Sequence, residues 1–115
     1  MNFLIITPTY NENANISTLI SKIRDIDTEV NLDILIIDDG SPDGTASTIK
    51  KIMEYDSGLY LIEREGKNGL ASAYCDGFKW AINNNYDYVI QMDADLSHSP
   101  NDVLRFIDKI DAYDI

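Results

Sequence analysis

The sequence predicts an α/β protein with a mainly parallel sheet covered by helices. Four short apolar runs alternate with four segments in which apolar residues recur at helical spacing. The apolar runs are unbroken, and unbroken runs are typical of strands that helices cover on both faces. Strict alternation of strand and helix favours right-handed βαβ units, and a chain of 115 residues has room for one domain.

The predicted elements follow one another without an intervening linker. We place the strands at residues 3–6, 34–37, 59–62 and 88–90, and turns at residues 7–11 and 38–44. The apolar positions that define the four helices are Ile16, Leu19, Ile20 and Ile23; Ala46, Ile49, Ile52 and Met53; Ala71, Tyr74, Phe78 and Ala81; and Val103, Phe106, Ile107 and Ile110. Pro100 is expected in the first turn of the last helix. Residues 112–115 resemble the approach to a further strand, so we expect the chain to be truncated at its C-terminus.

The charge of the chain excludes two classes of partner. There are 20 acidic residues against 9 basic ones, which gives a formal net charge of −11. Nucleic acids and anionic membrane surfaces attract basic patches, so we expect no nucleic acid and no basic membrane-binding patch. Cys75 is the only cysteine, which leaves no disulfide within the chain and favours a reducing, cytoplasmic location. Its place in an apolar helical pattern predicts a buried thiol.

A polar loop at residues 7–12 follows the first strand. It contains no glycine, which argues against the glycine-rich turn of dinucleotide-binding folds and P-loops. Tyr10 can stack on a base, and Glu12 can accept a hydrogen bond from a hydroxyl or an amino group of a nucleoside. Alternatively, Glu12 is an acid in the first turn of a helix, where the helix dipole favours it.

A second polar loop follows the second strand. Four of its residues fall at the first, third, fifth and sixth positions of a calcium-binding EF-hand loop, namely Asp39, Ser41, Asp43 and Gly44. However, Lys50 occupies the position where the EF-hand needs a glutamate, and the preceding element is a strand. The segment is better explained as a ligand loop, in which Asp39 points at a nucleoside and Ser41 or Asp43 caps the next helix.

Two carboxylates follow the fourth strand, one residue apart. Asp93 and Asp95 would project into the crevice at the carboxyl end of a parallel sheet, on the same edge as the two loops. Two acids in a crevice are costly without a positive partner, and a hard divalent cation is the natural one. His98 is not an expected ligand, because such a cation prefers oxygen.

Four motifs, in this order and spacing, resemble those of family 2 glycosyltransferases, and most closely the dolichol-phosphate (polyprenol-phosphate) mannosyltransferase branch. They are TPTYNE (7–12), DDGSPDGT (38–45), GLASAY (69–74) and MDADLSHSP (92–100). The resemblance extends over nearly the whole chain. It implies a GT-A fold, a Rossmann-like α/β/α sandwich, of which residues 1–115 would form the N-terminal nucleotide-sugar-binding part. It also implies Mg²⁺ or Mn²⁺ as the cofactor.

The same resemblance implies roles for individual positions. The residues implied to bind the nucleotide sugar are Pro8, Tyr10, Glu12, Ile37, Asp39, Asp93, Ala94 and Asp95. Within that set, Asp93 and Asp95 would be catalytic, and Asp95 together with Ser97 would hold the metal. The basic residue that the family places in a G-S-R-like motif lies beyond the end of the chain. Its absence would leave an acidic crevice with only a metal to attract the diphosphate.

The implied activity is inverting transfer of a mannose- or glucose-type hexose from a nucleotide-diphosphate sugar, such as GDP-mannose, to a polyprenyl (dolichyl) phosphate. An acceptor phosphate is already anionic, so no general base is needed; the donor base, guanine or uracil, stays open. Three alternatives remain. The first is a family 2 enzyme that extends a polysaccharide or glycoconjugate, with a catalytic general base beyond Ile115. The second is a phosphatase-like Mg²⁺ enzyme with Asp93 as nucleophile and Asp95 as acid, and the third is a domain that only binds nucleotide or a partner. Membrane contact is expected only through the acceptor or through missing C-terminal segments, at the cytoplasmic face of the membrane. A homo-oligomer is also compatible with the chain.

Overall fold

The computed structural model describes residues 2–26, 28–65, 69–95 and 100–113. Four strands and four helices alternate along these segments: β1 Asn2–Thr9, α1 Ile16–Arg24, β2 Asn31–Asp38, α2 Thr45–Met53, β3 Leu59–Glu63, α3 Leu70–Asn83, β4 Tyr88–Gln91 and α4 Pro100–Tyr113. Every predicted strand and helix is confirmed, with Pro100 as the first residue of α4. Because α4 continues to Tyr113, the prediction of a strand approach is wrong for residues 112–113. Within the described part of the chain, no helix combines the length and the apolar character needed to cross a membrane.

The four strands form one sheet in the order β3-β2-β1-β4, and each neighbouring pair is parallel. Thr9 of β1 lies opposite Asp38 of β2, whereas β4 ends with Gln91 opposite Ile6. β1 and β2 therefore extend further than β4 at the carboxyl edge of the sheet. The chain adds β2 and β3 on one side of β1 and then crosses over to add β4 on the other, so the strand order reverses at β1.

Helices cover both faces of the sheet. α1, α2 and α4 pack on one face and α3 packs on the other. The strand residues that face the first layer are Phe3, Ile5, Ile34 and Ile36, and those that face α3 are Leu4, Ile6, Leu35 and Ile37. The crossover from β3 to β4 runs across the sheet in the reverse direction, so a right-handed connection places α3 opposite α1 and α2. The predicted α/β/α sandwich with a parallel sheet is confirmed.

α3 approaches the sheet through a stripe of small buried residues, Ala73, Gly77 and Ala81. A Cβ atom at Gly77 would lie 2.8 Å from Ile6 Cγ2 and 3.0 Å from Ile37 Cδ1, closer than carbon atoms normally pack. The glycine therefore permits this close approach. The apolar pattern placed Ala71 on the buried face, but Ala71 is exposed because the buried stripe is centred on the small residues that follow it.

Two further side chains point away from the core, contrary to the prediction. Cys75 is exposed, so the expected buried thiol is wrong. It lies two residues after Ala73, which corresponds to about 200° around an α-helix and directs Cys75 away from the sheet. Phe106 of α4 is also exposed, whereas Val103 and Ile107 are buried as predicted.

β1 includes residues 7–9, which the sequence predicts as part of a turn. Alternate residues of β1 bond to opposite neighbours: Ile6 O accepts the N–H of Met92 after β4, and Thr9 O accepts the N–H of Asp39 after β2. The backbone nitrogen of Pro8 is therefore directed toward the β4 side. Since β4 has ended at that level, no strand needs the N–H that proline lacks, and the inner strand can continue through it.

Candidate functional site

The carboxyl ends of β1, β2 and β4 form a crevice, because the strand order reverses at β1. Open parallel α/β sheets bind ligands at such reversal points. β2 and β4 lie on either side of β1, roughly 10 Å apart at the usual spacing between strands. Extending the register between Ile6 and Gln91 by two residues places Asp93 beside Pro8. The predicted polar loops therefore converge on one edge of the sheet.

Asp38 and Ser41 fasten the loop after β1 to the loop after β2. Asp38 is buried, and its carboxylate accepts hydrogen bonds from Thr9 Oγ1 at 2.7 Å and from Ser41 Oγ at 2.6 Å. Ser41 Oγ in turn accepts the backbone N–H of Asn11 at 2.8 Å. Asn11 has a positive φ of 57°, which asparagine tolerates better than most residues. These bonds give the two loops one fixed arrangement.

Asp43 and Thr45 complete this connection at the start of α2. Asp43 accepts the N–H groups of Asn13 at 3.0 Å and Thr45 at 3.1 Å, and Thr45 Oγ1 accepts the N–H of Glu12 at 3.2 Å. The Thr45 hydroxyl also donates to Asp43 and is the main reason why the pKa of Asp43 is lowered. The N-cap of α2 is Gly44, so neither predicted residue is the cap itself. Asp43 precedes it and accepts the first N–H of the helix, whereas Ser41 binds the first loop. The EF-hand alternative does not fit, because a strand precedes the loop. In addition, the side chains of Ser41 and Asp43 accept hydrogen bonds from backbone N–H groups.

A recess of about 110 Å³ opens between the first loop and the start of α3. Its lining residues are Pro8, Thr9, Tyr10, Asp39, Gly69 and Leu70. Tyr10 and Leu70 are 39% and 57% exposed, so the recess has an aromatic and an apolar side chain on its lining. Ligand pockets usually measure roughly 300–1,000 Å³. The recess is therefore smaller than a typical ligand pocket and comparable in size with a base or a ribose.

Three of the predicted nucleotide-binding residues line this recess, namely Pro8, Tyr10 and Asp39. Glu12 is not part of the lining; its carbonyl accepts the N–H groups of Asn15 and Ile16, each at 2.9 Å. Since α1 begins at Ile16 and has no acid in its first turn, the alternative role of Glu12 as a helix-dipole acid is wrong. Ile37 is fully buried below α3, so only its backbone remains for contact with a nucleoside.

Arg64 is a residue of this site that the sequence motifs did not reveal. Its Nε lies 2.6 Å from Asp39 Oδ1 and its Nη2 lies 2.9 Å from Asp39 Oδ2. The guanidinium also donates to Asp76 of α3, and the hydrogen bond to Asp39 is the largest cause of the raised pKa of Arg64. Its position in the sequence could have indicated a role in the site, because Arg64 directly follows β3 at the same sheet edge as the other loops. The described part of the crevice therefore contains a cation of its own, and protein groups pair with it.

The acidic residues after β4 stand on a ledge formed by residues 92–95. Met92 and Ala94 are buried in the core, while Asp93 is half-buried and Asp95 is exposed. Ala94 can therefore contact a donor only through its backbone. The Tyr74 hydroxyl lies 3.5 Å from Asp93 Oδ1, and burial together with the charge of that carboxylate raises the pKa of Tyr74 to about 12. Tyr74 thus remains a neutral donor beside the ledge.

A divalent cation would find part of its ligand shell on this ledge. Among the residues that the structure describes, no three or more His, Cys, Asp or Glu side chains come together as a metal site. Ser97, the second predicted ligand, and His98 lie outside the described residues. Asp95 offers a hard oxygen donor, and Mg²⁺ commonly takes one or two carboxylates and completes its shell with water and substrate phosphates. The donors present therefore fit a cation that is shared with a diphosphate.

Sequence comparison identifies the family. The profile described as Glycosyl transferase family 2 matches residues 4–115. The chain belongs to this family. It is 37% identical over 110 residues to the polyprenol monophosphomannose synthase of Mycolicibacterium smegmatis, and 36% identical over 115 residues to the undecaprenyl-phosphate mannosyltransferase of Micrococcus luteus. The alignments cover 95% and 100% of the chain but 41% and 46% of these relatives, so the chain spans less than half of their length.

Solved structures of other glycosyltransferases share the fold. The mannosyltransferase PcManGT from Pyrobaculum calidifontis, in complex with GDP-Man and Mn²⁺, superposes with a TM-score of 0.70 at 29% identity, over 81% of this chain and 27% of that one. S. aureus TarS in complex with UDP-GlcNAc superposes with a TM-score of 0.77 at 23% identity, over 98% and 32% of the two chains, and this likeness shows the fold alone. The family and the GT-A fold predicted from the motifs are confirmed. The roles of the individual site residues stay predictions.

Proposed function

We propose that this chain is the nucleotide-sugar-binding part of a metal-dependent, inverting glycosyltransferase that transfers mannose, or a related hexose, to a polyprenyl phosphate. The observation that carries the proposal is the position of the recess and the acidic ledge on either side of β1, where the strand order reverses. A nucleoside in the recess would direct its diphosphate toward the ledge. The names of both curated relatives support the lipid phosphate acceptor, and the GDP-Man in PcManGT supports the donor.

The recess would recognise the nucleoside. Tyr10 offers an aromatic ring on which a base can stack, and Leu70 adds apolar surface beside it. Asp39 lines the recess and would accept an N–H of the base or a ribose hydroxyl; both guanine and uracil can donate such an N–H. The remaining predicted contacts are Pro8, Glu12 and the backbone of Ile37.

Asp95, together with Ser97, would hold a Mg²⁺ or Mn²⁺ ion. When bound, the ion supplies Lewis acidity that neutralises charge on the departing nucleoside diphosphate. Asp93 would position the diphosphate and the sugar, with the Ala94 backbone between the two acids. Tyr74 would orient Asp93 as a neutral hydrogen-bond donor, because its pKa is raised to about 12.

The proposed acceptor removes the need for a residue that abstracts a proton. A phosphate monoester has its second pKa near 6, so its oxygen is ionised and nucleophilic at neutral pH. This oxygen would attack the anomeric carbon from the side opposite the nucleoside diphosphate. The bond from that carbon to the diphosphate oxygen breaks, the leaving group takes the electron pair, and the configuration inverts. We place the reaction at the cytoplasmic face of the membrane that contains the lipid acceptor.

Transfer of labelled mannose from GDP-mannose to a polyprenyl phosphate tests the proposal in the complete protein. With Mn²⁺, the wild type should form a labelled lipid whose sugar is released by mild acid, and chelation of the metal should stop the reaction. Asp95→Asn should lower kcat/KM by about 100-fold. Glu29→Gln is the matched control, because it neutralises an exposed acid just before β2, at the opposite edge of the sheet.

Two results would contradict this proposal. Transfer to sugar hydroxyls and not to lipid phosphate would refute the acceptor and favour an enzyme that extends a glycan. Full activity of Asp95→Asn would refute the role of Asp95 in metal binding.

A further inference from the structure

All five N–H donors of Arg64 are engaged by the protein. Nε and Nη2 donate to the two oxygens of Asp39 at 2.6 and 2.9 Å. Nη1 donates to Asp76 Oδ2 at 3.0 Å and to Ser72 Oγ at 2.8 Å, and Nη2 also donates to Gly69 O at 3.3 Å. A guanidinium has five N–H groups, so these bonds leave none for a phosphate. Arg64 is therefore arranged to hold protein groups and not to bind the diphosphate.

Arg64 joins two walls of the recess. Asp39, which follows β2, and Gly69, which precedes α3, both line the recess and both accept hydrogen bonds from the same guanidinium. The backbone of Arg64 is also fixed, because its N–H donates to Asp38 O at 2.8 Å. The side chains of Arg64 and Asp39 are only 9% and 8% exposed. Solvent screens an ion pair at that depth much less than one at the surface.

The pairing restricts what Asp39 can offer to a ligand. A bidentate arginine uses the inner lone pair of each carboxylate oxygen, which leaves the outer lone pairs as acceptors. Each outer lone pair can accept a single N–H or O–H. The Arg64 guanidinium is thus shared between two carboxylates, those of Asp39 and Asp76.

We propose that Arg64 is a positioning residue for nucleoside recognition, which acts by fixing the Asp39 carboxylate and the Gly69 wall of the recess. The inference rests on the proposed function, because it requires the recess to bind the nucleoside of the donor. Since Asp39 is oriented before the ligand arrives, less ordering is needed on binding. Arg64 has no direct part in binding the diphosphate or the sugar.

Isothermal titration calorimetry on the complete protein can separate nucleoside recognition from diphosphate binding. The ligands are GDP, UDP and inorganic pyrophosphate, each with Mn²⁺. Arg64→Gln should weaken binding of the preferred nucleoside diphosphate by roughly tenfold and leave pyrophosphate binding unchanged. Arg64→Lys keeps the charge but loses the planar fork, so it should recover only part of the affinity. Lys50→Gln is the matched control. It removes an exposed cation that pairs with Glu63, the residue before Arg64, and this variant should bind all three ligands like the wild type.

Asp76→Asn is a second variant, which tests the inference even if the Arg64→Gln protein does not fold. The Asp76 side chain is 43% exposed, so its neutralisation should leave the fold intact while loosening one anchor of the guanidinium. Nucleotide affinity should fall by roughly threefold, again without a change for pyrophosphate. Wild-type nucleotide affinity in both Asp76→Asn and Arg64→Lys would overturn the inference.

A double-mutant cycle tests whether Arg64 acts through Asp39. Asp39→Asn should weaken nucleotide binding, and the addition of Arg64→Gln should cause little further loss. If the two losses multiply, or if Arg64→Gln loses pyrophosphate binding in parallel, the inference is wrong. If the wild type binds GDP or UDP and Arg64→Gln binds it equally well, only this inference fails. If the wild type binds neither nucleotide, the proposed function is refuted, and the inference fails with it.

Discussion

Gly77→Ala tests how closely α3 must approach the sheet. In an exposed helix this change would stabilise the protein by about 1 kcal/mol, because alanine is the better helix former. In α3 the added Cβ would lie 2.8 and 2.9 Å from the Cγ2 and Cδ1 atoms of Ile6, and 3.0 Å from Ile37 Cδ1. Carbon atoms in contact normally lie about 3.5–4.0 Å apart, so the helix or the isoleucines must move by roughly 0.5–1 Å.

Both isoleucines are packed inside the sheet core and cannot move outward into solvent. Ile6 and Ile37 are both fully buried in inner strands. Overpacking of such a core costs about 1–3 kcal/mol. After subtraction of the gain in helix propensity, Gly77→Ala should destabilise the fold by roughly 1 kcal/mol. Gly77→Val should destabilise it further, because its two additional methyl groups also lack space.

Urea unfolding followed by circular dichroism measures this effect. Nucleotide affinity should be measured in parallel, because Asp76 and Tyr74 belong to the same helix and would move with it. Cys75→Ala, on the exposed side of α3, is the matched control and should change neither quantity. A Gly77→Ala variant that is more stable than the wild type would refute the reasoning, since only the propensity gain would then be present.

Three further predictions concern the recess, the ledge and the contacts that join the first two loops. Leu70→Ala should weaken nucleotide binding by roughly fivefold through lost apolar contact. Ile82→Ala, at another exposed apolar position near the other end of α3, should not change the calorimetric Kd. The pKa of Tyr74 is raised from 10.0 to about 12, so its contribution to stability is complete below pH 10 and is lost as the pH rises through about 12. The difference between absorbance titrations of the wild type and Tyr74→Phe should therefore show one tyrosine ionising near the higher value, and a step near the lower one would contradict this. The pKa of Asp43 is lowered, so its contribution is present at neutral pH and is lost as the pH falls through the lowered pKa. Asp43→Asn should reduce the Tm at neutral pH and progressively less in acid, and an equal Tm at neutral pH would contradict the proposed contacts.

The layered fold was predictable because the buried residues are mostly large and regularly spaced. The four apolar residues of α1 that define its predicted face are all buried, and the unbroken runs of the strands match a sheet covered on both faces. The end of β1 was not predictable in the same way. Whether a strand can pass through Pro8 depends on where β4 ends, and that is a long-range property of the sheet.

α3 shows where apolar periodicity stops being informative. Its buried stripe is made of Ala73, Gly77 and Ala81, and such small residues carry little hydrophobic signal. Their importance comes from the distance between helix and sheet, which depends on Ile6 and Ile37 in other elements. The pattern of larger residues therefore indicated a helix but placed its buried face incorrectly at one position.

The site was predictable where single loops carry its residues. Tyr10 and Asp39 line the recess as the motifs indicated. Ile37, just before the second motif, and Ala94, within the fourth, have their side chains in the core. The position of Arg64 after β3 marked the sheet edge, but its contacts were not predictable from a local pattern, because its partners lie in the loop after β2 and on α3. Only the folded topology brings them together.

The charge of the crevice should make diphosphate binding, but not nucleoside binding, depend on a cation. Arg64 is the one cation among the described residues of the loops after the four strands, and its donors are all engaged. The acids described in the same loops are Glu12, Asp39, Asp43, Glu65, Asp93 and Asp95. A diphosphate that enters this field is repelled unless a divalent ion neutralises it, whereas an uncharged nucleoside in the recess is not. Calorimetry should therefore show that Mn²⁺ raises the affinity for GDP or UDP by about tenfold or more and leaves the affinity for guanosine or uridine unchanged. Nucleoside diphosphates that bind equally well after metal removal would show that the acidic ledge does not face the diphosphate.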